Sequence, residues 1–253
     1  MTLQILGSGT STGVPQIGCR CATCTSADPR DKRLRASATV KIGEDGPSLL
    51  IDCGPDFRQQ MLRAGSPELD ALLITHSHYD HVGGIDDLRP YCKGGRDFPI
   101  YCTTDVARDL RERNPWSFVE NPYPGVPRFD IHEIDPARPF NVEGVEITPL
   151  PVMHARLPIV GYRIGPLAYI TDCKTMPDST LQLLRGVDTL VINALRPAEH
   201  MSHLSLDEAL AIVRTVAPRR ALLTHMSHDM PPTADVILPP GVELACDEMT
   251  VTI

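Results

Sequence analysis

The sequence predicts an α/β fold in which helices cover a pair of β-sheets. Three observations carry this expectation. Short apolar runs recur in both halves of the chain, each with the length and branched content of a buried strand. Between them lie fewer stretches with helical periodicity and legible caps. At 253 residues, with 42% hydrophobic and 22% charged side chains, the chain can also bury the core that such layers need. Length alone does not choose between one large domain and two small ones. With no long linker, repeat or low-complexity tract, a single domain over 1–253 is expected, its two halves divided by the loop Asn121 to Pro127 (NPYPGVP).

In chain order, Met1 to Gly9 reads as a strand and a glycine turn. Asp56 to Ala64 predicts a helix with Phe57, Met61 and Leu62 on one face and Gly65 as its stop. Asp70 to Thr75 (DALLIT) is a strand running into His76. Thr104 to Arg113 predicts a further helix. Val145 to Met153 (VEITPLPVM) runs into His154, and Leu167 to Thr171 (LAYIT) into Asp172. Ser205 to Ala217 (SLDEALAIVRTVA) predicts a helix: Ser205 and Glu208 are spaced as a capping box, Leu206, Ala209, Leu210, Val213 and Val216 form its apolar face, and Pro218 ends it. Arg220 to Thr224 (RALLT) then runs into His225. Polar residues therefore stand at the C-terminal ends of several different strands, where loops at one edge of a layered sheet usually build a site.

The bulk charge narrows the function. A formal charge of −8 argues against a protein that wraps long nucleic acid, which needs a basic stripe to displace counterions. It leaves open a small phosphate ester, because bound metal ions supply local positive charge. The N-terminus has no basic flank followed by a long apolar run, and no run of about 18 apolar residues exists, so no export signal and no membrane span are expected. The expected compartment is the reducing cytoplasm, where clustered cysteines bind metal more often than they pair. A homodimer is the default assembly, because two-fold dimers are the commonest.

His76-Ser77-His78-Tyr79-Asp80-His81 packs four metal-ligand candidates into six residues. Imidazole with carboxylate suits zinc, manganese or iron. His76 and His78 alternate, so an extended chain points both to one side. Asp80 and His81 must then lie beyond a turn, facing a second ion, with the glycines of Val82-Gly83-Gly84 allowing a tight bend into a helix. His154, Asp172 and His225 can complete the two sets, and Asp172 is the natural carboxylate bridge. Two ions about 3.5–4 Å apart can clamp a hydroxide and stabilise both the attacking and the leaving oxygen.

A second cluster, Cys19-Arg20-Cys21-Ala22-Thr23-Cys24, offers three thiolates. A closed tetrahedral zinc site needs a fourth ligand, and His228, three residues beyond His225, is the best candidate. Three unligated or redox-active cysteines are the alternative. Cys53, Cys92, Cys102, Cys173 and Cys246 are scattered and read as small core residues or free thiols.

These motifs resemble a known family. THSHYDH with its following Gly-Gly is similar to the T-H-x-H-x-D-H signature of the metallo-β-lactamase fold, and Leu50-Ile51-Asp52-Cys53-Gly54 to the strand-turn motif before it. The resemblance implies an αββα sandwich, two mixed β-sheets flanked by helices, with the site at one edge. It implies that His76, His78 and His154 bind one ion, that Asp80, His81 and His225 bind the other, and that Asp172 bridges. GSGTSTGVP, then CxCxxC near residues 19–24, with LTHMSH near the end, is similar to the PhnP-type phosphodiesterases of the carbon–phosphorus lyase pathway. That resemblance implies a substrate among cyclic phosphodiesters of ribose and 2′,3′-cyclic nucleotides. It also implies a structural zinc on Cys19, Cys21, Cys24 and His228, and two active-site metals, zinc or manganese. Asp80 is expected to be catalytic as well as a ligand.

His203 matches the general-acid position of the PhnP-type enzymes; an exposed loop histidine, or one that only binds phosphate, is the alternative. His200 and His132 read as loop or surface residues. Asp52 either orients a ligand or shapes a turn. Gly7-Ser8-Gly9 reads as a turn, since no Gly-Lys-Ser/Thr follows it. Arg156, Lys174 and Arg196 lie close in sequence to site residues and are candidates to hold a substrate phosphate. Three other enzyme readings compete. A ribonuclease Z-like role predicts a basic arm that is not apparent, a glyoxalase II-type thioesterase leaves CxCxxC unexplained, and a secreted β-lactamase lacks its signal peptide. A non-catalytic, zinc-stabilised binding protein is the alternative of a different class, and it predicts about one metal per chain rather than about three.

Overall fold

The computed structural model describes residues 1–92, 96–121 and 123–253, so Pro122 of the predicted central loop lies outside the described residues. Fourteen strands form in the described residues. The first layer is built by β1 (Thr2–Gly7), β2 (Ser37–Lys41), β3 (Ser48–Ile51), β4 (Ala71–Leu73), β5 (Phe98–Thr103) and β6 (Phe129–Ile134). The second is built by β7 (Phe140–Val142), β8 (Val145–His154), β9 (Leu157–Ile164), β10 (Leu167–Ile170), β11 (Thr189–Asn193), β12 (Arg220–Thr224) and β13 (Val242–Leu244). The C-terminal β14 (Thr250–Thr252) returns to pair with β1, so each sheet has seven strands, ordered β14-β1-β2-β3-β4-β5-β6 and β13-β12-β11-β10-β9-β8-β7. Both sheets are mixed: β3 to β6 are parallel and β10 to β13 are parallel, while the remaining neighbours are antiparallel.

The sheets pack face to face through Leu3, Ile5, Leu49 and Leu73 from the first and Tyr162, Ile164, Val191 and Leu222 from the second. Helices cover both outer faces. In front of the first sheet lie α2 (Phe57–Arg63), α3 (Tyr79–Val82) and α4 (Thr104–Arg113); α2 and α4 pack on it with Phe57, Met61, Val106 and Leu110, while the short α1 (Ala22–Thr25) sits against the loop after β12, where Thr23 Oγ1 donates to the Met230 carbonyl. Behind the second lie α5 (Asp178–Leu183) and α6 (Leu206–Val216), with Ala209 and Val213 of α6 packed inward. This is the αββα sandwich. Strands β3, β4, β10 and β11 are buried along their whole length. That is why they read as unbroken apolar runs rather than alternating ones.

The halves do not divide where the sequence suggests. The chain crosses from one sheet to the other between Ile134 and Phe140, whereas the predicted divide falls in sequence between α4 and β6, which both belong to the first layer. Strand β6 (FDIHEI) is an edge strand with several exposed side chains, so its polar sequence hides it. The capping box is formed: Ser205 Oγ accepts from the Glu208 N–H, and Glu208 accepts from the Ser205 N–H.

The topology gathers the polar strand ends. Strands β4, β8, β10 and β12 end beside His76, His154, Asp172 and His225. Asp52, Ala155, Asp172 and His225 carry positive φ, at 60°, 51°, 55° and 55°. A left-handed residue within two positions of a strand end turns the chain and re-aims its side chain, and such strain in non-glycine residues concentrates at functional sites.

Candidate metal centre

Two neighbouring groups of donors meet at this edge. Asp80, His81, Asp172 and His225 are all buried, and each offers one ligand atom within 4.8 Å of the others. His81 Nε2 lies 3.2 Å from both Asp80 Oδ2 and Asp172 Oδ2. His225 Nε2 lies 3.5 Å and 3.2 Å from the same two oxygens. A tetrahedral ion with bonds of about 2.0–2.1 Å spaces its ligand atoms by about 3.3 Å, so these four atoms stand at metal-ligand separation. The second group is His154, Asp172 and His203, which shares Asp172 with the first. His76 and His78 adjoin it: His76 Nε2 and His78 Nδ1 are 3.0 Å apart, and their rings lie 5.8 Å and 5.2 Å from that of His154.

Hydrogen bonds select the histidine faces. His81 Nδ1 donates to Asp52 Oδ2 at 2.7 Å, which aims Nε2 at the carboxylates. His154 Nδ1 donates to the Ser202 carbonyl at 2.9 Å. Thr75 Oγ1 sits 3.0 Å from His76 Nδ1 and also binds Asp52. Fixing one ring nitrogen in this way sets the tautomer and frees the other for a metal. Among the described residues, buried His81 Nε2 has no hydrogen-bond partner, as expected of an atom facing an ion. Asp52 therefore fills both roles left open by the sequence: it makes the turn after β3 and it orients a ligand.

The electrostatics agree with cation binding. Three buried carboxylates, Asp52, Asp80 and Asp172, surround the His81 ring. Burial opposes charge on that ring, but Asp172, Asp52 and Asp80 together hold its pKa well above the usual histidine value. Burial would likewise raise Asp80, yet His81 and His225 beside it keep it below the ordinary carboxylate range. A divalent cation would neutralise this negative excess. His76 is held neutral by burial and by the neighbouring His81. His203 is pushed down to about 3, first by burial and then by His225, with Asp172 opposing.

Close backbone approach completes the loop that carries His76 to His81. A Cβ on Gly54 would fall 2.0 Å from the Asp80 carbonyl oxygen, and one on Gly84 would fall 2.0 Å from the Gly54 carbonyl oxygen. Only glycine lets the turn after β3 and the end of α3 touch here.

Cys19, Cys21, Cys24 and His228 form a separate group within 4.8 Å of one another. His228 Nδ1 lies 3.2 Å from Cys19 Sγ and 3.5 Å from Cys21 Sγ, against about 3.6 Å for a sulfur–nitrogen edge of a tetrahedral zinc site. Backbone N–H groups of Gln16, Cys21 and Cys24 donate to Cys24, Cys19 and Cys21 sulfurs, which favours thiolates. The Cys24 N–H and His228 bring the Cys21 thiol down to about 6, while burial pushes Cys24 up to about 11. These donors fit a zinc ion.

The remaining candidates fall apart from this constellation. Lys174 is paired with Glu208 at 2.7 Å and Arg196 with Asp229 at 3.0 Å, so neither is a free cation for phosphate. Arg156 is exposed in the hairpin turn after His154. His200 touches Ser202 and lies 5.2 Å, ring to ring, from His203. His132 stacks on Tyr101 far along β6. Ser8 binds Asp247 through both its N–H and its hydroxyl, so the Gly7-Ser8-Gly9 turn is structural. Cys53, Cys102 and Cys173 are buried in the core. Sequence reasoning gave no role to Thr75, Ser202, Asp109 or Arg113, whose contacts appear only once the fold brings them together.

The profile of the β-lactamase superfamily domain matches residues 48–226, the stretch from β3 to just past His225. The chain belongs to the β-lactamase superfamily. The chain is 38% identical to a diphosphatase of the PhnP family, whose crystal structure superposes with a TM-score of 0.91 over 99% of this chain and 96% of that one. Zinc-bound PqqB from Methylobacterium extorquens, 22% identical with a TM-score of 0.80, covers 100% of both chains and shares the fold. An octanoyltransferase of Porphyromonas gingivalis is 43% identical over 250 residues, 98% of this chain, but the chain spans only 50% of that relative's length. Family and fold together make this superfamily member a metal-dependent hydrolase. Among the described residues, no helix is long and apolar enough to cross a membrane.

Proposed function

We propose that the protein hydrolyses a small phosphodiester, a cyclic phosphate of ribose or a 2′,3′-cyclic nucleotide, with two active-site ions, zinc or manganese, and one structural zinc. The observation that carries the reading is the pair of donor groups sharing Asp172. His76, His78 and His154 would hold one ion, Asp80, His81 and His225 the other, and Asp172 would serve both. Cys19, Cys21, Cys24 and His228 would hold the structural zinc, within one hydrolase domain over 1–253. When bound, the paired ions supply Lewis acidity toward phosphoryl oxygens and lower the pKa of water.

The chain's own residues do the rest. Asp52 and Thr75 hold His81 and His76 in the tautomers that leave Nε2 free. Asp80, ionised between His81 and His225, has a second carboxylate oxygen to accept a hydrogen bond from the attacking water. His203 stands 3.6 Å from Asp172 and delivers a proton to the leaving oxygen. The neutral state imposed by its burial is reversed by an arriving phosphate anion, which favours the charged imidazole.

Two relatives favour other bonds. The diphosphatase relative supports a phosphoanhydride as second substrate. The octanoyltransferase relative supports acyl chemistry, on a match to half its length. The net charge of −8 stands against long nucleic acid as substrate. The test is a panel on metal-loaded protein: a 2′,3′-cyclic nucleotide, a dinucleoside diphosphate and an acyl thioester. Turnover of the cyclic nucleotide, lost in His76→Ala, is the expected result. Turnover of only the diphosphate or only the thioester replaces the reading with the corresponding alternative.

A further inference from the structure

We propose that Asp109 and Arg113 of α4 are positioning residues that clamp Ser77 and thereby set the separation of His76 and His78. The inference deepens the site reading above and rests on those two histidines holding an ion.

The need for a clamp follows from the backbone. The sheet hydrogen bonds of this segment end with the Ile74 N–H to Tyr101 O and the Val160 N–H to Thr75 O. His76 and His78 lie beyond them, on an extended stretch that leads into α3, with His78 at φ −63° and ψ 150°. In such a stretch the residue between two same-side side chains points the other way. Ser77 points to α4. Its hydroxyl donates to Asp109 Oδ2 at 2.5 Å, and its carbonyl accepts from Arg113 Nη1 at 2.6 Å.

Asp109 and Arg113 are one helical turn apart, so a single face of α4 presents both groups to a single residue. One grips the side chain and the other the backbone, which blocks rotation of the peptide planes that join His76 to His78. Both bonds are charge-assisted and short. α4 is itself anchored by Val106, Ala107 and Leu110 in the outer core, so the clamp stands on a rigid element. Arg113 is exposed and Asp109 half-buried, so neither supports the core and their removal tests position rather than folding.

The test is a calorimetric titration of zinc into protein stripped of active-site ions but retaining the structural zinc. Wild type, Asp109→Ala, Asp109→Asn, Arg113→Met, Arg113→Lys and His76→Ala are compared. His76→Ala should lose one of the two binding steps. In Asp109→Ala and Arg113→Met that same step should weaken by about tenfold to a hundredfold, with the other step changed less than about twofold. Asp109→Asn, which keeps an acceptor, and Arg113→Lys, which keeps a charged donor, should recover most of the loss. The double variant should be little worse than either single one, because both act on one residue. If His76→Ala loses a step but the clamp variants bind both ions like wild type, the clamp is wrong and the ligand assignment stands. Equal weakening of both steps also overturns the clamp. If His76→Ala loses no step, both fall, whatever the enzyme hydrolyses.

Discussion

Replacing Asp52 with asparagine should weaken metal binding by about tenfold to a hundredfold, or about 1.4–2.8 kcal/mol, while leaving the fold intact. Asp52 is fully buried, and among the described residues its carboxylate bonds only to Thr75 and His81. Oδ1 accepts from the Thr75 N–H at 2.9 Å, the Thr75 hydroxyl lies 2.9 Å from Oδ2, and Oδ2 accepts from His81 Nδ1 at 2.7 Å. Asparagine has the same shape and keeps Oδ1 for Thr75. Its amide nitrogen, however, faces a ring nitrogen that already carries a proton. Two donors then oppose each other in a site without water access. The imidazole can respond by moving its proton to Nε2, which removes the lone pair that a metal needs. Otherwise it keeps a buried unsatisfied donor, at a cost of about 1–3 kcal/mol. Either response weakens the ion held by His81. Asp52→Ala should lose as much metal affinity and, in addition, about 1–3 kcal/mol of stability, because the Thr75 N–H is orphaned. Zinc titration by calorimetry, paired with thermal unfolding, reads both quantities. An asparagine variant that binds both active-site ions as tightly as wild type would refute the tautomer argument.

Three further outcomes follow from the same structure. Cys19→Ser should lower bound zinc by about one ion per chain and reduce the melting temperature, since a structural zinc contributes directly to folding; unchanged metal content would mean that the thiolates hold no ion. Gly54→Ala should destabilise the protein by about 1–3 kcal/mol and reduce active-site metal, because the new methyl falls 2.0 Å from the Asp80 carbonyl oxygen; a variant of wild-type stability would show that the turn is not tightly packed. Burial pushes Asp247 up to about 6 from its ordinary 3.8, against hydrogen bonds from Leu34 and Ser8 and the Arg63 guanidinium 3.7 Å away. The folded chain thus holds this proton more tightly than the unfolded chain. Its stabilisation, at most about 3 kcal/mol, is complete below about pH 4 and is lost as pH rises through about 6. The unfolding free energy of wild type minus that of Asp247→Asn should fall across that window, and a difference flat in pH would count against it.

Much of this architecture is legible in the chain because three of the strands that lead to ligands, β4, β10 and β12, are buried on both faces along nearly their whole length. DALLIT, LAYIT and RALLT have no polar alternation, and each stops at the residue that leaves the sheet. The capping box at Ser205 is equally plain, while the helix over Thr104–Arg113 forms where a weaker signal placed it. Edge strands are not plain. β6 and β7 keep a solvated face, so FDIHEI reads as a polar stretch and the crossover between the sheets is misplaced. The candidate ligands can be named from the chain because their residue types and spacing are chemically restrictive. What lies around them cannot. Nothing local distinguishes Lys174, paired with Glu208 34 residues away, from a free cation. Nor does sequence join Ser77 to Arg113 36 residues later. These contacts depend on tertiary packing, which periodicity does not encode.

The most direct test of the account is the hydrolysis of a 2′,3′-cyclic nucleotide by protein stripped of active-site ions and reloaded with counted equivalents of manganese or zinc. The account predicts no turnover with the structural zinc alone, turnover that rises as the two active-site positions fill, and none at any loading in His76→Ala or Asp172→Asn. Turnover that survives loss of the active-site ions, or fully loaded protein that leaves the cyclic nucleotide intact, would contradict it.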